Sequence, residues 1–212
     1  MFGKIYRALS RRAYNMVFIL FHKGVQMLGK GILRNTYCDN RGLDNTIAID
    51  AGASLINCRI LFKGNHNKLF IHCGTHLKNV TFWFEGNGNS IDVGENVTME
   101  GNVDIDACEG HSIIIGDDCM FSHGISVRTT DSHPIIDARG KRINPAKNIS
   151  IGRHVWVGMD CLILKGTVIP ENSIVGARSM VTSSLKATVG SLLAGSPARV
   201  IKNNVSWNRK LI

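Results

Sequence analysis

Residues 151–181 read Ile151-Gly152-Arg-His-Val155-Trp156-Val157-Gly158-Met-Asp-Cys161-Leu-Ile163-Leu-Lys165-Gly-Thr-Val-Ile169-Pro170-Glu-Asn-Ser-Ile-Val175-Gly176-Ala177-Arg178-Ser179-Met-Val181. Ile151, Val157, Ile163, Ile169, Val175 and Val181 stand at intervals of six residues. A helix repeats at about 3.6 residues and a strand at 2, so a period of six is neither. It is the pattern of a parallel β-helix, in which each hexapeptide lays one short strand and one corner. The aliphatic residue points into the prism. Gly152, Gly158, Pro170 and Gly176, each one place later, help the chain round a corner.

Upstream, a second period appears. Gly42-Leu-Asp-Asn45-Thr-Ile-Ala-Ile49, Gly64-Asn-His-Asn67-Lys-Leu-Phe-Ile71 and Gly86-Asn-Gly-Asn89-Ser-Ile-Asp-Val93 align without gaps at a spacing of 22, and His111-Ser-Ile-Ile-Ile115 continues them more loosely. Six-residue steps place inward residues at 49/55/61, 71/77/83, 93/99/105 and 115/121/127. Each such turn is three hexapeptides plus four residues at one corner, where Asn45, Asn67 and Asn89 read as repeated turns. From residue 151 the extra four vanish and the coils tighten to eighteen. The pattern predicts six coils. Cys119 and Cys161, each four places after an inward aliphatic residue, read as small packed thiols, reduced rather than paired, which suits a reducing compartment.

One interruption is larger. The step from inward Val127 to inward Ile151 is 24 residues where six would suffice. The excursion, residues 129–148, opens Thr129-Thr130-Asp131-Ser132-His133-Pro134. A loop this long inside a solenoid is usually there for function.

The 212 residues suit one domain with terminal appendages, and 22 glycines against 4 prolines suit a turn-rich β architecture. The net charge of +9 sits at the two ends. Residues 1–34 hold seven Lys/Arg and no acid, and residues 178–212 hold six and no acid. Between them sixteen acids outnumber twelve bases, so a uniformly basic nucleic-acid face is not suggested.

Residues 1–34 read as a basic helical segment with Phe2, Ile5, Leu9, Met16, Val17, Leu20 and Phe21 on an apolar face. It either caps the open end of the β-helix or lies on an anionic membrane, at the inner face of a cytoplasmic membrane. Its apolar run Met16–Phe21 is too short to span a bilayer, and no small-residue cleavage site follows it. Residues 35–200 are the β-helix domain, and residues 201–212 a tail with a short helix over Asn203–Lys210. His66, His72, His76 and His111 read as surface histidines, because their spacing does not converge three ligands on a metal.

The hexapeptides, the loop motif Asp131-Ser-His133-Pro134, the run Ile151-Gly-Arg-His-Val-Trp156-Val-Gly158 and the ending Ala194-Gly-Ser-Pro-Ala-Arg199 together resemble the left-handed β-helix acyltransferases. Within that superfamily the chain is most similar to bacterial surface-polysaccharide O-acetyltransferases, including those that modify sialic-acid capsules. Thr130-Asp-Ser-His-Pro-Ile135, Arg142-Ile-Asn144 and Trp207-Asn-Arg-Lys210 carry that likeness over residues 113–210. Residues 42–112 share only the coil pattern, and residues 1–34 have no counterpart.

The resemblance implies a left-handed coil, although parallel crossovers are normally right-handed. It also implies a cytoplasmic homotrimer with sites between neighbouring prisms, acetyl-coenzyme A as donor, no metal, and an essential histidine at the loop's start. Here that is His133. An alcohol must lose its proton as it attacks a thioester, and an imidazole with pKa near ~6.5 suits that task. Asp131 could orient the ring, as could a backbone carbonyl. Trp156 should face outward and line the acetyl or acceptor site, or pack a trimer. His123 and Arg142 are candidate acceptor contacts. For coenzyme A the resemblance points to small outward residues Gly158, Gly176, Ala177 and Ser179, with Lys165, Arg178, Lys186 and Arg199 for its phosphates.

Three rival readings stay open. An N-acyltransferase acting on a nucleotide-linked amino sugar could use the same His133. A metal-dependent hydratase would need histidines converging across a subunit interface, and a passive solenoid has no use for the His-Pro loop.

Overall fold

The computed structural model describes residues 24–210, and they wind as a parallel β-solenoid. Seven strands stack on the first face: Val25–Gly29, Asn45–Ile49, Lys68–Ile71, Ser90–Val93, Ser112–Ile115, Ile149–Ile151 and Val168–Ile169. The second and third faces form one 14-stranded sheet, because His76–Glu85 and Thr98–Cys108 run through the corner between them. An antiparallel hairpin, Leu192–Gly195 with Ala198–Lys202, begins an eighth coil and closes that end.

The register repeats the sequence period. Thr46 pairs with Lys68, Lys68 with Ser90 and Ser90 with Ser112, a constant step of 22 residues. Ile113 then pairs with Ile149, so the excursion is looped out without disturbing the stack. Beyond it Ser150 pairs with Val168, and the step has fallen to eighteen. Apolar burial holds the stack: Ile47, Leu69, Ile91, Ile113 and Ile149 lie one above another with at most 1% exposure. Each such side chain contributes about 1.5–3 kcal/mol by leaving water.

The corner asparagines form a buried ladder. Asn45 Oδ1 accepts from the Asn67 N–H at 2.8 Å, and Asn67 Oδ1 from the Asn89 N–H at 2.9 Å. Their amides donate to the carbonyls of Gly64 and Gly86. A buried Asn is tolerated because every rung is satisfied by the next coil.

Four expectations are corrected. The residues read as helix over 24–34 are the strands Val25–Gly29 and Ile32–Arg34 of a first coil, so the solenoid has seven coils and the start of an eighth rather than six. Stacking on the second coil decides this, since Val25–Gly29 pairs with Asn45–Ile49 residue for residue. The helix expected over residues 1–23 lies outside the described residues.

The tail over Asn203–Lys210 is no helix; it runs back across the coil corners. Arg209 there donates to Asp118 at 2.7 Å, to Thr98 Oγ1 at 2.8 Å, and to the carbonyls of Asn96 and Cys119. Four acceptors presented by the coil corners outbid local helix bonds.

Positions 61 and 83 are not inward. Ile60 and Phe62, then Phe82 and Phe84, fill the prism with no exposure, while Trp83 faces out. Coils two and three turn their second corner one residue early. The fourth coil regains phase through a bulge between Glu100 and Val103, which returns Ile105 inward.

Candidate active site

The excursion leaves the solenoid at the corner between the third and first faces. Its neck is closed by the Lys147 N–H, which donates to the Thr129 carbonyl at 3.0 Å. Buried Thr129 also caps the coil below, its hydroxyl accepting from the Cys108 N–H at 2.8 Å. Farther out the loop doubles back, with Ile136 bridged antiparallel to Arg142. The Asp137 carboxylate ties that bend by accepting from the N–H groups of Arg139 and Lys141, both at 2.9 Å.

His133 stands at the first bend. The Asp131 carbonyl accepts from the His133 N–H at 2.8 Å across Ser132, whose φ is 67°. That is the rarer hand of γ-turn, strained for a residue with a Cβ. Pro134 restricts His133 from the other side. Asn144 is the hub: buried, it donates to the His133 carbonyl at 2.9 Å and to the Asp131 carboxylate at 2.8 Å. Its Oδ1 accepts from the Ile135 N–H at 2.6 Å. The main chain on both sides of His133 is thus fixed. The imidazole stays exposed, with no hydrogen-bond partner among the described residues.

Several candidate residues take other roles. The Asp131 carboxylate does not orient the ring; it receives Lys165 Nζ and Asn144 Nδ2. Those two bonds, the lysine's first, hold Asp131 below the usual carboxylate range. Lys165, expected at the coenzyme A phosphates, is therefore the foot of the loop, and it donates also to the Asn144 carbonyl at 2.9 Å. Arg142, expected on the acceptor, makes a two-pronged pair with Glu109 at 2.6 and 2.9 Å. Arg142 and the Thr130 hydroxyl together push Glu109 down to about 2. Both cations tie the loop to coils far away in sequence, which local pattern does not reveal.

Ser179 is buried and its hydroxyl accepts from the Gly195 N–H at 3.2 Å, so it props the C-terminal hairpin. Gly158 is small because of the next coil: a Cβ there would meet the Ala177 nitrogen at 2.8 Å. Ala177, Arg178, Lys186 and Arg199 are exposed on the last coils, and Gly176 lies half-buried beside them. Arg178 pairs loosely with Asp160 at 3.6 Å.

Trp156 faces outward, 38% exposed, at the start of the second face. The loop leaves a different corner, so one chain does not bring Trp156 and His133 together. Trp156 instead meets Trp207 of the tail, ring centroids 6.3 Å apart. His123 is exposed at the corner between the second and third faces. Asn144, Glu109, Trp207 and Arg209 were not singled out as site or anchor residues by sequence reasoning. Asn144, Trp207 and Arg209 lie within motifs quoted above; Glu109 carries no local signal.

The four early histidines do not converge. His72 bridges Asp50 and Asp92 at 3.1 and 2.9 Å. Burial favours its neutral form, but the two carboxylates outweigh that and raise its pKa. His66 lies 3.7 Å from Asp44, His76 bonds the Ser54 hydroxyl, and His111 the Glu109 carbonyl. Among the described residues no His/Cys/Asp/Glu group is arranged to hold a metal ion.

A parallel solenoid of hexapeptide coils, broken once by a pinned loop that presents a histidine, defines a β-helix acyltransferase. No protein-family model matches the chain. It aligns with the crystal structure of the polysialic acid O-acetyltransferase OatWY at 30% identity and TM-score 0.66, over 89% of this chain and 92% of that one. It aligns with the polySia specific acetyltransferase NeuO at 28% identity and TM-score 0.62, over 89% and 84%. A curated polysialic acid O-acetyltransferase of Escherichia coli O1:K1 / APEC is 38% identical over 77 residues, which cover 36% of this chain and 24% of that protein. The match thus spans about a quarter of that curated relative's length. The chain belongs to the hexapeptide-repeat acetyltransferases, and the capsular polysaccharide O-acetyltransferases are its kin.

Proposed function

We propose that the chain transfers an acetyl group from acetyl-coenzyme A to a hydroxyl of a bacterial surface glycan, with His133 as general base. The observation that carries this reading is the built aim of the loop: the γ-turn and Asn144 fix the His133 main chain while its imidazole stays free. An imidazole nitrogen takes the proton as the hydroxyl oxygen attacks the thioester carbonyl. The C–O bond forms, the C–S bond breaks, and the proton passes to the departing thiolate. The names of the relatives support a sugar as acceptor. The exposed small and basic residues Ala177, Arg178, Lys186 and Arg199 suit the pantetheine arm and the phosphates of the donor.

A homotrimer completes the site, with Trp156 arriving from a neighbouring copy. The different corners occupied by Trp156 and the loop support this, as do the exposed apolar loop residues Ile135, Ile136 and Ile143. Ahead of the first coil, Lys4, Arg7, Arg11, Arg12 and Lys23 would attract the chain to an anionic membrane surface from the cytoplasmic side. Vesicle co-sedimentation of the full chain against one starting at Gly24 tests that point; equal binding removes it.

The central test is His133→Ala. Turnover should fall by roughly 10²–10⁴ with coenzyme A affinity unchanged. A variant keeping half its activity overturns the assignment. Sedimentation should show three chains, and a fully active monomer overturns the shared site.

A further inference from the structure

Below the loop, on the third face, outward residues of three successive coils enclose a cleft of about 410 Å³. That volume falls in the range of small-ligand sites, about 300–1,000 Å³. Trp83 and Glu85 come from the third coil, Asp104 and Asp106 from the fourth, and Arg128 from the fifth. Ser132, the residue before His133, closes the top. The cleft owes its aromatic wall to the register shift: in phase, position 83 would have been core.

Trp83 has Lys63 Nζ over its ring at 3.9 Å, and its Nε1 donates to Glu85 at 3.2 Å, which fixes the indole plane. Asp106 is largely covered, with Arg128 3.1 Å away. Burial, only partly offset by Arg128, pushes Asp106 up to about 6. Asp104 is exposed and makes no ion pair among the described residues. An aromatic plane edged by carboxylate acceptors is the chemistry that recognises a pyranose, with C–H groups against the ring and hydroxyls donating to the carboxylates. Three carboxylates face Arg128 in the lining and Lys63 over the Trp83 ring, so the cleft keeps a net negative charge that disfavours a glycan bearing a carboxylate on every unit. Holding a carboxylate in cover beside the loop costs stability, as functional clefts often do.

We infer that this cleft is the acceptor subsite, and that it takes an uncharged pyranose unit and disfavours a polyanionic chain. The inference rests on the acetyltransferase reading above and gives it a substrate class.

The test measures binding of the full chain to neutral trimers of glucose, galactose and N-acetylglucosamine, and to an α-2,8-linked sialic acid trimer, without donor. At least one neutral trimer should bind more tightly than the sialic trimer by about tenfold or more. Trp83→Ala, at a half-buried position, and Asp104→Ala, at an exposed one, should weaken that binding at least about fivefold, while His133→Ala leaves it intact. Tighter binding of the sialic trimer, no binding of any neutral trimer, or silent cleft variants each overturn the inference. Acetyl transfer assayed in parallel separates the two claims. Transfer that persists undiminished in the cleft variants leaves the acetyltransferase standing and the subsite refuted. Cleft-dependent neutral binding with no transfer to any glycan supports the subsite and counts against the transferase reading alone.

Discussion

Trp207 and His154 hold each other at three points: their rings stack with centroids 4.3 Å apart, Trp207 Nε1 donates to the His154 carbonyl at 2.9 Å, and His154 Nε2 lies 3.2 Å from the Trp207 carbonyl. His154 needs such support. Its φ of 53° is left-handed, a conformation that residues with a Cβ resist. Its other ring nitrogen meets Asp118, which Arg209 also clasps. Burial would raise the Asp118 pKa, but Arg209 and His154 outweigh it and lower it. The tail is therefore a strap across coils four to six, and it sets the surroundings of Trp156.

Trp207→Ala releases that strap. The melting temperature should fall by roughly 2–8 °C, the cost of a lost side-chain bond and a stacked contact. Activity should fall further than stability accounts for, because Trp156 loses its neighbour. A variant with the melting point and turnover of the parent would show that the strap is idle.

Ser132→Gly removes the strain of a Cβ at φ 67°. A glycine adopts that turn freely, so stability should hold or rise slightly. Turnover should drop several-fold, since His133 is then less firmly aimed. Unchanged turnover together with unchanged stability would refute a role for the γ-turn.

Glu109 is held at about 2 by Arg142 and Thr130, below its unfolded value. A depressed carboxylate contributes stability that is present above the unfolded pKa, about 4.3, and is lost as pH falls towards 2. Arg142→Gln should therefore lower the melting temperature at pH 6, with the gap from the parent closing between about pH 4.3 and 2. Both partners are about a third exposed, so solvent screening keeps the effect modest. A gap that is constant with pH would mean that Arg142 acts through packing alone.

Asp106 shows the opposite sign. Burial raises it to about 6, so folding favours its protonated form. That contribution is full below the unfolded pKa, about 3.9, and is lost as pH rises through 6. Asp106→Asn should melt higher than the parent at pH 8 and converge with it near pH 4, as followed by thermal melts across that range. A variant that melts lower at pH 8 would show that the Arg128 pair outweighs the cost of burial.

The sequence by itself determined the solenoid, the 22- and 18-residue coils, the corner asparagines and the one loop. Each is a local fact, because whether a side chain points into the prism depends on its place in its own hexapeptide. The place of His133 at the start of the loop was legible for the same reason, while the role proposed for it rests on the family resemblance. What tertiary structure alone decided lies between coils. Val25–Arg34 carries no hexapeptide signal and becomes strand because the second coil offers it an edge to pair with. Trp83 turns outward because two corners are cut a residue short, a change of phase that one bulge at Glu100–Val103 repays. Asp131, Lys165, Arg142 and Glu109 lie 33 or 34 residues from their partners, and Arg209 reaches back 91 residues to Asp118. Stacking alone sets those neighbours, since a charged side chain of this loop and tail pairs with whatever the coil beneath presents.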